Sequence, residues 1–370
     1  MKLMVAGGGT GGHLFPGISL GFAWLERVPQ GEVFFVGTTK GLEQKVVPQA
    51  GFRLLFIDQT PLKGRSVFNT LKSLLRLPRS LIQAIRLVRK ERPDVATGVG
   101  GYASGPAILA AWLLGVPTLL FEANAIPGLT NRILGVVAKK IVSPYVTTGA
   151  YFSRKKLVIS GVPVRPQLIE AAKNHNEKNG AEHEQPKSPT IFIFGGSQGA
   201  TAINCAAIDA SEALLSRGCQ IVHQTGTADF LRVQSAYADK KLQVEVRAFI
   251  DDMAAVYRRS DLVVCRAGAS TLAELAMMGK PSLLVPLPSA ADDHQTYNAR
   301  AYEKAGAALV LPQSELNGAR LSREIQSLIA DSIRLHTMSE AVKKFADIDA
   351  AQKMCDLCTQ LAQKNAESWT

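Results

Sequence analysis

The same local pattern occurs near the start and near the middle of the 370-residue chain: an apolar run, a glycine-rich turn and a helix-like segment. Leu3–Ala6 leads into Gly7-Gly8-Gly9-Thr10-Gly11-Gly12, and Ile191–Phe194 leads into Gly195-Gly196-Ser197-Gln198-Gly199-Ala200. Glycines at such turns permit a positive φ and let backbone amides approach a phosphate or a sugar. The repeat predicts two nucleotide-binding halves, with a cleft where the carboxyl ends of their strands meet.

Apolar runs of strand length alternate with helical patterns along most of the chain. Such alternation is typical of parallel sheets with helices on both faces. We therefore predict an α/β protein of two Rossmann-like domains whose parallel sheets face each other across a cleft. The predicted strands are Leu3–Ala6, Val33–Gly37, Leu54–Ile57, Val95–Gly98, Thr118–Phe121, Ile141–Ser143, Thr190–Phe194, Gln220–Gln224, Val244–Ala248, Leu262–Cys265, Ser282–Val285 and Ala308–Leu311.

Length and composition are consistent with two domains, because a domain usually has roughly 100–200 residues. With 46% hydrophobic and 20% charged residues, the chain can bury a large core, which excludes global disorder. Residues 171–189 are rich in Asn, Glu, Lys and His and lack apolar periodicity. We interpret them as an exposed loop near a domain boundary that begins at about Gly161.

The five cysteines are sparse, and the chain opens on a strand pattern without a secretory signal. We therefore expect reduced thiols in a cytoplasmic protein. Cys355 and Cys358 form a lone CxxC in a helix-like tail, a context that favours neither a redox role nor a zinc site. Residues 103–125 are the nearest approach to a membrane span, but prolines and a glutamate interrupt them. They favour a buried helix followed by a strand.

The positive charge is unevenly distributed. The net charge is +11, and between Lys63 and Arg92 nine lysines and arginines stand against one acid, Glu91. This excess indicates an anionic partner: a membrane, a nucleic acid or an acidic substrate. Leucines and isoleucines interleave with the cations, and Phe68 is the one aromatic residue among them. The pattern favours an anionic membrane surface over nucleic acid, with an ordinary basic face as the other alternative.

The first glycine-rich turn has the spacing Gly7-x-Gly9-x-x-Gly12 of dinucleotide-binding sites. That fingerprint also expects an acid at the end of the second strand to hold the ribose, and here the strand ends Val36-Gly37-Thr38-Thr39. The pattern therefore disfavours NAD and FAD. His13 follows the turn directly, where it would serve as a general base at neutral pH or play a structural role.

A second candidate site follows the strand Leu262–Cys265. The amides of Ala269, Ser270 and Thr271 would lie at a helix N-terminus, which suits a diphosphate. Glu274 lies about one turn further on. Its carboxylate would accept the two hydroxyls of a ribose or act as a capping acid of the helix.

Two acidic clusters raise the alternative of a metal site. Asp292-Asp293-His294 follows a strand and a proline-rich loop, but adjacent acids in one loop rarely supply three ligands with suitable geometry. These side chains would instead bind sugar hydroxyls. Asp347-Ile348-Asp349 has the spacing of a metal-binding pair but lies in the helical tail, and we interpret it as solvated. We expect neither a metal nor an organic cofactor.

Eight segments occur in a highly specific order. They are Gly8-Gly9-Thr10-Gly11-Gly12-His13-Leu14-Phe15-Pro16, Gly100-Gly101-Tyr102-Ala103-Ser104-Gly105-Pro106, Asn124 with Gly128-Leu129-Thr130-Asn131, Gly161-Val162-Pro163-Val164-Arg165, Gly195-Gly196-Ser197-Gln198-Gly199-Ala200, Phe249-Ile250-Asp251-Asp252-Met253, Ala269–Glu274, and Asp293-His294-Gln295 before Asn298-Ala299. Over nearly its full length the chain thus resembles the peptidoglycan UDP-N-acetylglucosamine:muramyl-pentapeptide-pyrophosphoryl-undecaprenol N-acetylglucosaminyltransferases.

The resemblance implies a GT-B architecture. Residues 1–160, joined by a C-terminal helix at about 340–370, would form an acceptor- and membrane-binding domain, and residues 161–339 a UDP-sugar-binding domain. The implied enzyme is an inverting hexosyltransferase that moves N-acetylglucosamine (GlcNAc) from UDP-GlcNAc to the C4 hydroxyl of N-acetylmuramic acid on undecaprenyl diphosphate. It would serve cell wall biogenesis, cell shape and cell division from the cytoplasmic face of the bacterial inner membrane, without a nucleic-acid partner.

Carried over position by position, the resemblance also implies residue roles. Ile250 would offer backbone groups to uracil, and Ser197 and the amides of residues 269–271 would meet the diphosphate. Glu274 would hold the ribose, and Gln295 the sugar hydroxyls. The full set of implied UDP-GlcNAc contacts is Thr10, Gly11, Gly12, Asn124, Arg165, Ser197, Ile250, Ala269, Ser270, Thr271, Glu274 and Gln295.

Two residues compete for the role of general base. The resemblance favours His13. The family often has His-Glu-Gln-Asn where this chain has Phe121-Glu122-Ala123-Asn124, so two polar side chains are lost. That departure leaves the hydrogen bonding to the acceptor open and makes Glu122 the alternative base.

Two other classes of protein are compatible with parts of the pattern. A UDP-GlcNAc 2-epimerase-like enzyme shares the two-domain plan but needs no lipid acceptor. A nucleotide-binding regulator or nucleic-acid module would use the basic stretch. Epimerised product from UDP-GlcNAc alone would favour the first class, and salt-dependent DNA binding without UDP affinity would favour the second.

Overall fold

The structure is a computed structural model that describes residues 1–9, 11–39, 41–58, 67–178, 188–196 and 198–367. For residues 67–76, 174–178 and 366 only the backbone is described. Two of the predicted UDP-sugar contacts, Thr10 and Ser197, lie outside the described residues, as do Lys63 and Arg65 of the basic stretch.

Strands and helices alternate along the chain. The strands are β1 Lys2–Gly7, β2 Glu32–Gly37, β3 Arg53–Phe56, β4 Val95–Gly100, β5 Thr118–Phe121, β6 Lys140–Ser143, β7 Leu157–Ile159, β8 Thr190–Phe194, β9 Gln220–Gln224, β10 Glu245–Arg247, β11 Leu262–Cys265, β12 Ser282–Leu284 and β13 Ala308–Val310. The helices are α1 Gly11–Arg27, α2 Glu43–Gln49, α3 Val67–Glu91, α4 Ser104–Leu113, α5 Leu129–Leu134, α6 Pro166–Lys178, α7 Thr201–Leu215, α8 Phe230–Asp239, α9 Met253–Arg259, α10 Ala269–Met277, α11 His294–Lys304, α12 Gly318–Ile329, α13 Ser332–Lys343 and α14 Ala350–Glu367.

The chain divides into two compact units. Unit 1 comprises Met1–Arg165 and Asp347–Thr370, and unit 2 comprises Pro166–Ala346. Unit 1 has a parallel sheet of order β3-β2-β1-β4-β5-β6-β7, and unit 2 a parallel sheet of order β10-β9-β8-β11-β12-β13. The strand order reverses once in each sheet, between β1 and β4 and between β8 and β11. The prediction of an α/β protein with two Rossmann-like parallel sheets is confirmed.

The central strands are buried because helices cover both faces of each sheet. Leu3, Met4 and Val5 of β1 are fully buried, as are Ile191 and Phe192 of β8. Each strand predicted from an apolar run is present, with ends that differ by at most two residues. A continuous apolar run identifies such a strand, since neither of its faces meets water.

Helix α14 packs on α1 and β4 of unit 1. Its two cysteines point into that contact: the Sγ atom of Cys355 lies 3.5 Å from the carbonyl oxygen of Ala23, and that of Cys358 lies 3.2 Å from Thr97 Oγ1. Burial raises the pKa of Cys355 to about 11 and that of Cys358 to about 12. Both thiols therefore stay protonated at neutral pH, and thiolate chemistry is suppressed.

Three local expectations differ from the structure. Residues 171–178, predicted as loop, belong to α6, because Leu168, Ala171 and Ala172 are buried in the core of unit 2. One apolar turn is enough to dock this otherwise polar helix. Strand β7 was not predicted, because it has only three residues, lies at the sheet edge and follows two lysines.

The third difference concerns Asp347, which we interpreted as solvated. Its carboxylate accepts hydrogen bonds from Ser160 Oγ at 3.0 Å, the amide of Gly161 at 2.9 Å and Lys353 Nζ at 2.8 Å. Burial alone would raise the pKa of Asp347, but these hydrogen bonds outweigh it and hold the pKa below its usual value. Asp347 therefore fixes the start of the C-terminal segment to the end of β7 within unit 1.

Candidate functional site

Each sheet has its reversal of strand order between two central strands, and ligands of such folds bind beyond the carboxyl ends of those strands. In unit 1 the described residues of the loops at this point are Gly8 and Gly9 after β1 and residues 101–103 after β4. In unit 2 they are residues 195–196 and 198–200 after β8 and residues 266–268 after β11. The predicted glycine-rich turns thus occupy the ligand position of each sheet.

The two loops of unit 1 pack closely because glycines line their contact. Gly9 has φ of +93°, which an L side chain rarely adopts. A Cβ on Gly101 would overlap the carbonyl oxygen of Gly8, and one on Gly100 would lie 2.5 Å from the Nδ1 atom of His13. The side chain of His13 therefore rests directly on the backbone that leaves β4.

One hydrogen bond determines the tautomer of His13. Its Nδ1 atom lies 3.1 Å from the carbonyl oxygen of Val99, and a carbonyl oxygen can only accept. Nδ1 therefore carries the proton, and in the neutral imidazole Nε2 is the nitrogen that can take up another. His13 is half-buried at the start of α1, beside Gly11 and Gly12 at the same helix N-terminus.

Glu122, the alternative base, is 2% exposed at the end of β5. Its Oε1 accepts from the backbone amide of Asn124 at 3.0 Å and from its Nδ2 at 3.1 Å. Its Oε2 accepts from the amide of Gly128 at 3.0 Å and from Asn131 Nδ2 at 2.9 Å. Burial raises the pKa of Glu122, and these four donors act in the opposite direction. The carboxylate thereby organises the loop that carries Asn124.

Arg165, at the end of unit 1, stacks on an aromatic ring near the glycine loop. The guanidinium carbon lies 4.9 Å from the centre of the Phe15 ring. Such a cation–π contact keeps the guanidinium beside the first turns of α1. The structure thus places four predicted contacts in unit 1, with Gly11, Gly12 and Arg165 at α1 and Asn124 at the end of β5.

In unit 2, Gln224 at the end of β9 connects two predicted ligand-binding segments. Its Nε2 donates to the carbonyl oxygen of Gly196 at 3.2 Å, and its Oε1 accepts from the amide of Ile250 at 2.9 Å. The side chain is 2% exposed. The Ile250 amide, predicted to meet uracil, is therefore hydrogen-bonded to Gln224 in this structure. Sequence reasoning missed Gln224, because nothing local distinguishes it from any other strand glutamine.

A buried cluster of polar side chains holds the turn after β8 in place. His223 Nε2 lies 3.0 Å from Asn204 Oδ1 and its Nδ1 lies 2.9 Å from the Tyr237 hydroxyl. Asn204 Nδ2 in turn donates to the carbonyl oxygen of Thr225, against which Gly199 packs so closely that a Cβ would overlap it. Burial lowers the pKa of His223 to about 4, so this histidine is neutral at pH 7.

The N-terminus of α10 presents the predicted diphosphate amides. Gly268 precedes the helix, and the amide of Leu272 is the first to bond back to it, so those of Ala269, Ser270 and Thr271 precede the first helical hydrogen bond. Ser270 Oγ is buried and has no hydrogen-bond partner among the described residues. This arrangement can receive an anion.

Glu274 is held by a partner that sequence reasoning missed. It is 7% exposed, and its Oε2 accepts from the hydroxyl of Tyr257 at 3.0 Å. Tyr257 is fully buried and packs edge-on against Phe192 and Phe194. The aromatic core therefore fixes the orientation of a carboxylate one turn inside the same helix.

The loop before α11 is arranged by its own polar groups and by Arg266. Arg266 donates to the carbonyl oxygens of Val285 and Pro286 at 3.1 and 3.0 Å. Gln295 Oε1 accepts from the amide of Leu287 at 3.1 Å. The segment at Asp292 and Asp293 turns with φ of 54° and 52°. Among the described residues, no three His, Cys, Asp or Glu side chains are grouped as metal ligands would be.

Family models match both halves of the chain. The description "Glycosyltransferase family 28 N-terminal domain" fits residues 3–143, and "Glycosyltransferase family 28 C-terminal domain" fits residues 190–354. A protein of Anaeromyxobacter dehalogenans is 45% identical over 366 residues, which cover 98% of this chain and 94% of that one. It is named a UDP-N-acetylglucosamine--N-acetylmuramyl-(pentapeptide) pyrophosphoryl-undecaprenol N-acetylglucosamine transferase.

Two solved structures bear on the fold. Acinetobacter baumannii MurG superposes with a TM-score of 0.78 at 31% identity, over 97% of this chain and 99% of that one. A Neisseria meningitidis UDP-GlcNAc 2-epimerase superposes with a TM-score of 0.67 at 12% identity, over 96% of this chain and 99% of that one, which shows a shared fold alone. The chain therefore belongs to the family of UDP-N-acetylglucosamine--N-acetylmuramyl-(pentapeptide) pyrophosphoryl-undecaprenol N-acetylglucosamine transferases, within glycosyltransferase family 28.

Proposed function

We propose that this protein transfers GlcNAc from UDP-GlcNAc to the C4 hydroxyl of N-acetylmuramic acid on a pentapeptide-bearing, undecaprenyl-diphosphate-linked acceptor, with inversion at the anomeric carbon. The observation that carries the proposal is the 45% identity over 98% of the chain to a transferase named for this donor and acceptor. The glycine loops and helix N-termini at the strand-order reversal of each sheet are consistent with it.

Unit 2 would bind the UDP moiety of the donor. The amides at the start of α10 and the turn after β8 suit the diphosphate, and Ser270 Oγ supplies a further donor beside them. Glu274, oriented by Tyr257, suits the ribose hydroxyls. The carbonyl group of Ile250 would face uracil. Its amide would either replace its hydrogen bond to Gln224 by one to uracil or donate to both acceptors at once.

The leaving group needs stabilisation as the bond between the anomeric carbon and the phosphate oxygen breaks. Negative charge then builds on the diphosphate, and preorganised amides at a helix N-terminus stabilise such charge without reorganisation. Ala269, Ser270 and Thr271 would fill this role. Gln295 would hold hydroxyls of the transferred sugar, since its helix begins beside the loop that Arg266 anchors.

His13 is the proposed base. As the acceptor oxygen forms its bond to the anomeric carbon, its proton would pass to Nε2, the basic nitrogen of the tautomer that Val99 selects. The resulting imidazolium keeps its Nδ1 hydrogen bond to the carbonyl oxygen. Glu122 fits this role less well, because four hydrogen-bond donors already surround its buried carboxylate. We assign Glu122 to positioning the loop that carries Asn124.

We further propose that unit 1 docks on an anionic membrane surface. Arg79, Ile82, Arg86 and Arg89 are exposed at helical spacing on one face of α3, while Ser80, Ala84 and Val88 on the opposite face are buried. Helix α3 packs on α4, and α4 on α5. The exposed apolar residues of this apolar–basic surface are Ile82, Trp112, Leu113, Leu129, Ile133 and Val136.

The apolar–basic surface combines the two attractions that hold a peripheral protein on a bilayer. Exposed Trp and Ile side chains gain from burial at the headgroup boundary, and each cation adds about 1 kcal/mol near anionic lipid. Among the described residues, no helix has both the length and the apolar character needed to cross a bilayer. Docking on the surface would bring the protein to an acceptor whose lipid resides in that membrane.

A transfer assay tests the proposed function directly. Labelled UDP-GlcNAc is incubated with the lipid-diphosphate muramyl acceptor, without acceptor, and with acceptor plus chelator. We expect a disaccharide product on the lipid only when acceptor is present, with equal yield under chelation. Epimerised UDP-sugar in the acceptor-free arm would instead support an epimerase, and no turnover of either kind would refute the transferase.

A further inference from the structure

A buried carboxylate that the proposed mechanism does not use lies directly behind the glycine loop of unit 1. Glu43, the first residue of α2, is 0% exposed. Its Oε2 accepts from the amide of Gly9 at 2.8 Å. Its Oε1 accepts from the amide of Thr38 at 3.0 Å and from the Thr38 hydroxyl at 2.8 Å. One side chain thus connects the loop after β1 to the loop after β2.

The chain makes room for this carboxylate at three glycines. A Cβ on Gly8 would lie 2.5 Å from Oε1 of Glu43, and a Cβ on Gly37 would lie 2.7 Å from its Cγ. A Cβ on Gly41 would overlap the carboxylate itself. The glycines of both loops therefore let the chain turn and also let Glu43 approach the backbone closely. A larger side chain at any of them would displace the carboxylate of Glu43.

Burying a carboxylate is unfavourable unless donors replace its lost water. Each donor here is a backbone amide or the hydroxyl of a loop residue, so the hydrogen bonds hold backbone segments in place. The loop fixed in this way leads into α1, whose third residue is His13. The carbonyl oxygen of Gly8 in turn packs on Gly101, next to Gly100, on which the His13 ring rests. A shift at Gly9 would therefore move the imidazole and the amides of Gly11 and Gly12.

We propose that Glu43 is a positioning residue for the transfer reaction: it clamps the glycine loop at Gly9 so that His13 faces the acceptor hydroxyl in productive geometry. This inference rests on the proposed function and on the role of His13 in it. Glu43 is fully buried and hydrogen-bonded to Gly9 and Thr38, so it acts through the loop.

The test uses the full-length chain and the variant Glu43→Gln. A carboxamide keeps the shape but turns one acceptor oxygen into a donor, which would face an amide of Gly9 or Thr38. We expect kcat to fall about 10–100-fold, as for a misplaced catalytic group, and to fall by a larger factor than KM for UDP-GlcNAc rises. Hydrogen exchange of the peptide covering residues 7–13 should accelerate.

The matched control is Asp94→Asn. Asp94 lies just before β4, and its Oδ2 accepts from the amide of Lys2 at 2.6 Å, at the opposite end of the same sheet. It should keep the wild-type kcat and the wild-type exchange of residues 7–13. Thr38→Val is a second variant should Glu43→Gln not fold. It removes one of the three donors and should lower kcat several-fold, again by a larger factor than it raises KM for UDP-GlcNAc.

The outcomes separate this inference from the proposed function. In one outcome the wild type is active and His13→Ala is inactive, but Glu43→Gln and Thr38→Val are fully active. That outcome would overturn the positioning role of Glu43 and leave the proposed function standing. A raised KM for UDP-GlcNAc at unchanged kcat would also overturn it, since it would place the effect at donor binding. A wild-type protein without transferase activity would remove the proposed function and this inference with it.

Discussion

The Nδ1 atom of His13 donates a hydrogen bond of 3.1 Å to the carbonyl oxygen of Val99, 86 residues further along the chain. The contact joins the first turn of α1, which follows β1, to the end of β4. The strand order of the unit 1 sheet reverses between these two strands. The hydrogen bond orients the ring and leaves Nε2 as the proton acceptor of the neutral imidazole.

Replacing His13 with alanine should lower kcat about 10²–10⁴-fold, because the reaction loses its general base. KM for UDP-GlcNAc should change little, since His13 is not among the proposed donor contacts, and those to uracil, ribose and diphosphate lie in unit 2. His336→Ala, at an exposed position on α13, is the control and should retain full activity. Steady-state kinetics with saturating acceptor measure kcat and KM for both variants. Unchanged turnover in His13→Ala would show that another residue is the general base, and Glu122 would be the first candidate.

Replacing Glu122 with glutamine should destabilise the protein more than it affects the chemical step. One of its two oxygens becomes an NH₂ group that faces two donors, which costs about 1–3 kcal/mol. For a unit of this size, calorimetry should show Tm lower by about 2–4 °C per kcal/mol. A Glu122→Gln protein with wild-type Tm and a kcat reduced as far as that of His13→Ala would identify Glu122 as the base.

Replacing Gln224 with leucine should weaken donor binding. The change removes the hydrogen bonds to Gly196 and Ile250, each worth about 1 kcal/mol, and loosens both segments. We expect KM for UDP-GlcNAc to rise about 10-fold or more, with a smaller change in kcat. Gln326→Leu, on α12 of the same unit, is the matched control. Equal KM values for the two variants would exclude Gln224 from the donor site.

Reversing the charge of Arg79, Arg86 and Arg89 to glutamate should release the protein from vesicles that contain anionic lipid. Each cation contributes about 1 kcal/mol near such a surface, and the reversal adds repulsion. The control reverses Arg217, Lys241 and Arg323, exposed cations of unit 2, with the same change of net charge. Vesicle sedimentation at physiological salt compares the two. Equal retention of both triple variants would eliminate the apolar–basic surface as the docking site.

Acid should destabilise unit 2 through His223. Burial lowers its pKa to about 4 in the folded state, whereas an unfolded histidine titrates near pH 6.5. Between these values the unfolded chain binds a proton that the folded one does not, so stability falls as pH falls, by up to about 1.4 kcal/mol per pH unit. The carboxyl of Asp229, whose pKa Arg232 holds below its usual value, titrates below this window.

The variant His223→Gln isolates this contribution. It cannot take up the proton, so the stability difference between wild type and variant should shrink as pH drops from 6.5 to about 4.5. Calorimetric Tm values at four pH values between these limits measure it, with His336→Gln as the control for replacing an exposed histidine. A constant difference between wild type and His223→Gln would contradict the lowered pKa.

Much of the fold followed from local patterns. The strand Thr118–Phe121 was predicted to the residue, because the apolar run Leu119–Phe121 between a Gly- and Pro-containing turn and Glu122 is compatible with a strand buried on both faces. The glycine turns after β1 and β8 were found for a similar reason, since both need residues without a Cβ. Where the signal was weak, prediction failed: α6 docks through a single apolar turn, and β7 has three residues.

The candidate site was predicted less completely than the fold. The pattern after β11 indicated Glu274 and the resemblance named Ile250, but their partners Tyr257 and Gln224 carry no motif of their own. Glu43 was not singled out at all, because a glutamate in the first turn of a helix has the ordinary appearance of a dipole-compensating acid. Asp347 was interpreted as solvated because it lies in the helical tail, although its carboxylate accepts hydrogen bonds from Ser160, Gly161 and Lys353.

The sequence by itself determined the elements of this protein, their alternation and the places where glycine turns must end a strand, because periodicity and backbone freedom are properties of neighbouring residues. Only the tertiary structure decided which side chains hold those turns in place. Glu43 meets Gly9 across 34 residues and Gln224 meets Ile250 across 26, once parallel strands bring their carboxyl ends to one edge. A hydrogen bond depends on distance and direction in space, and neither can be read from separation along the chain.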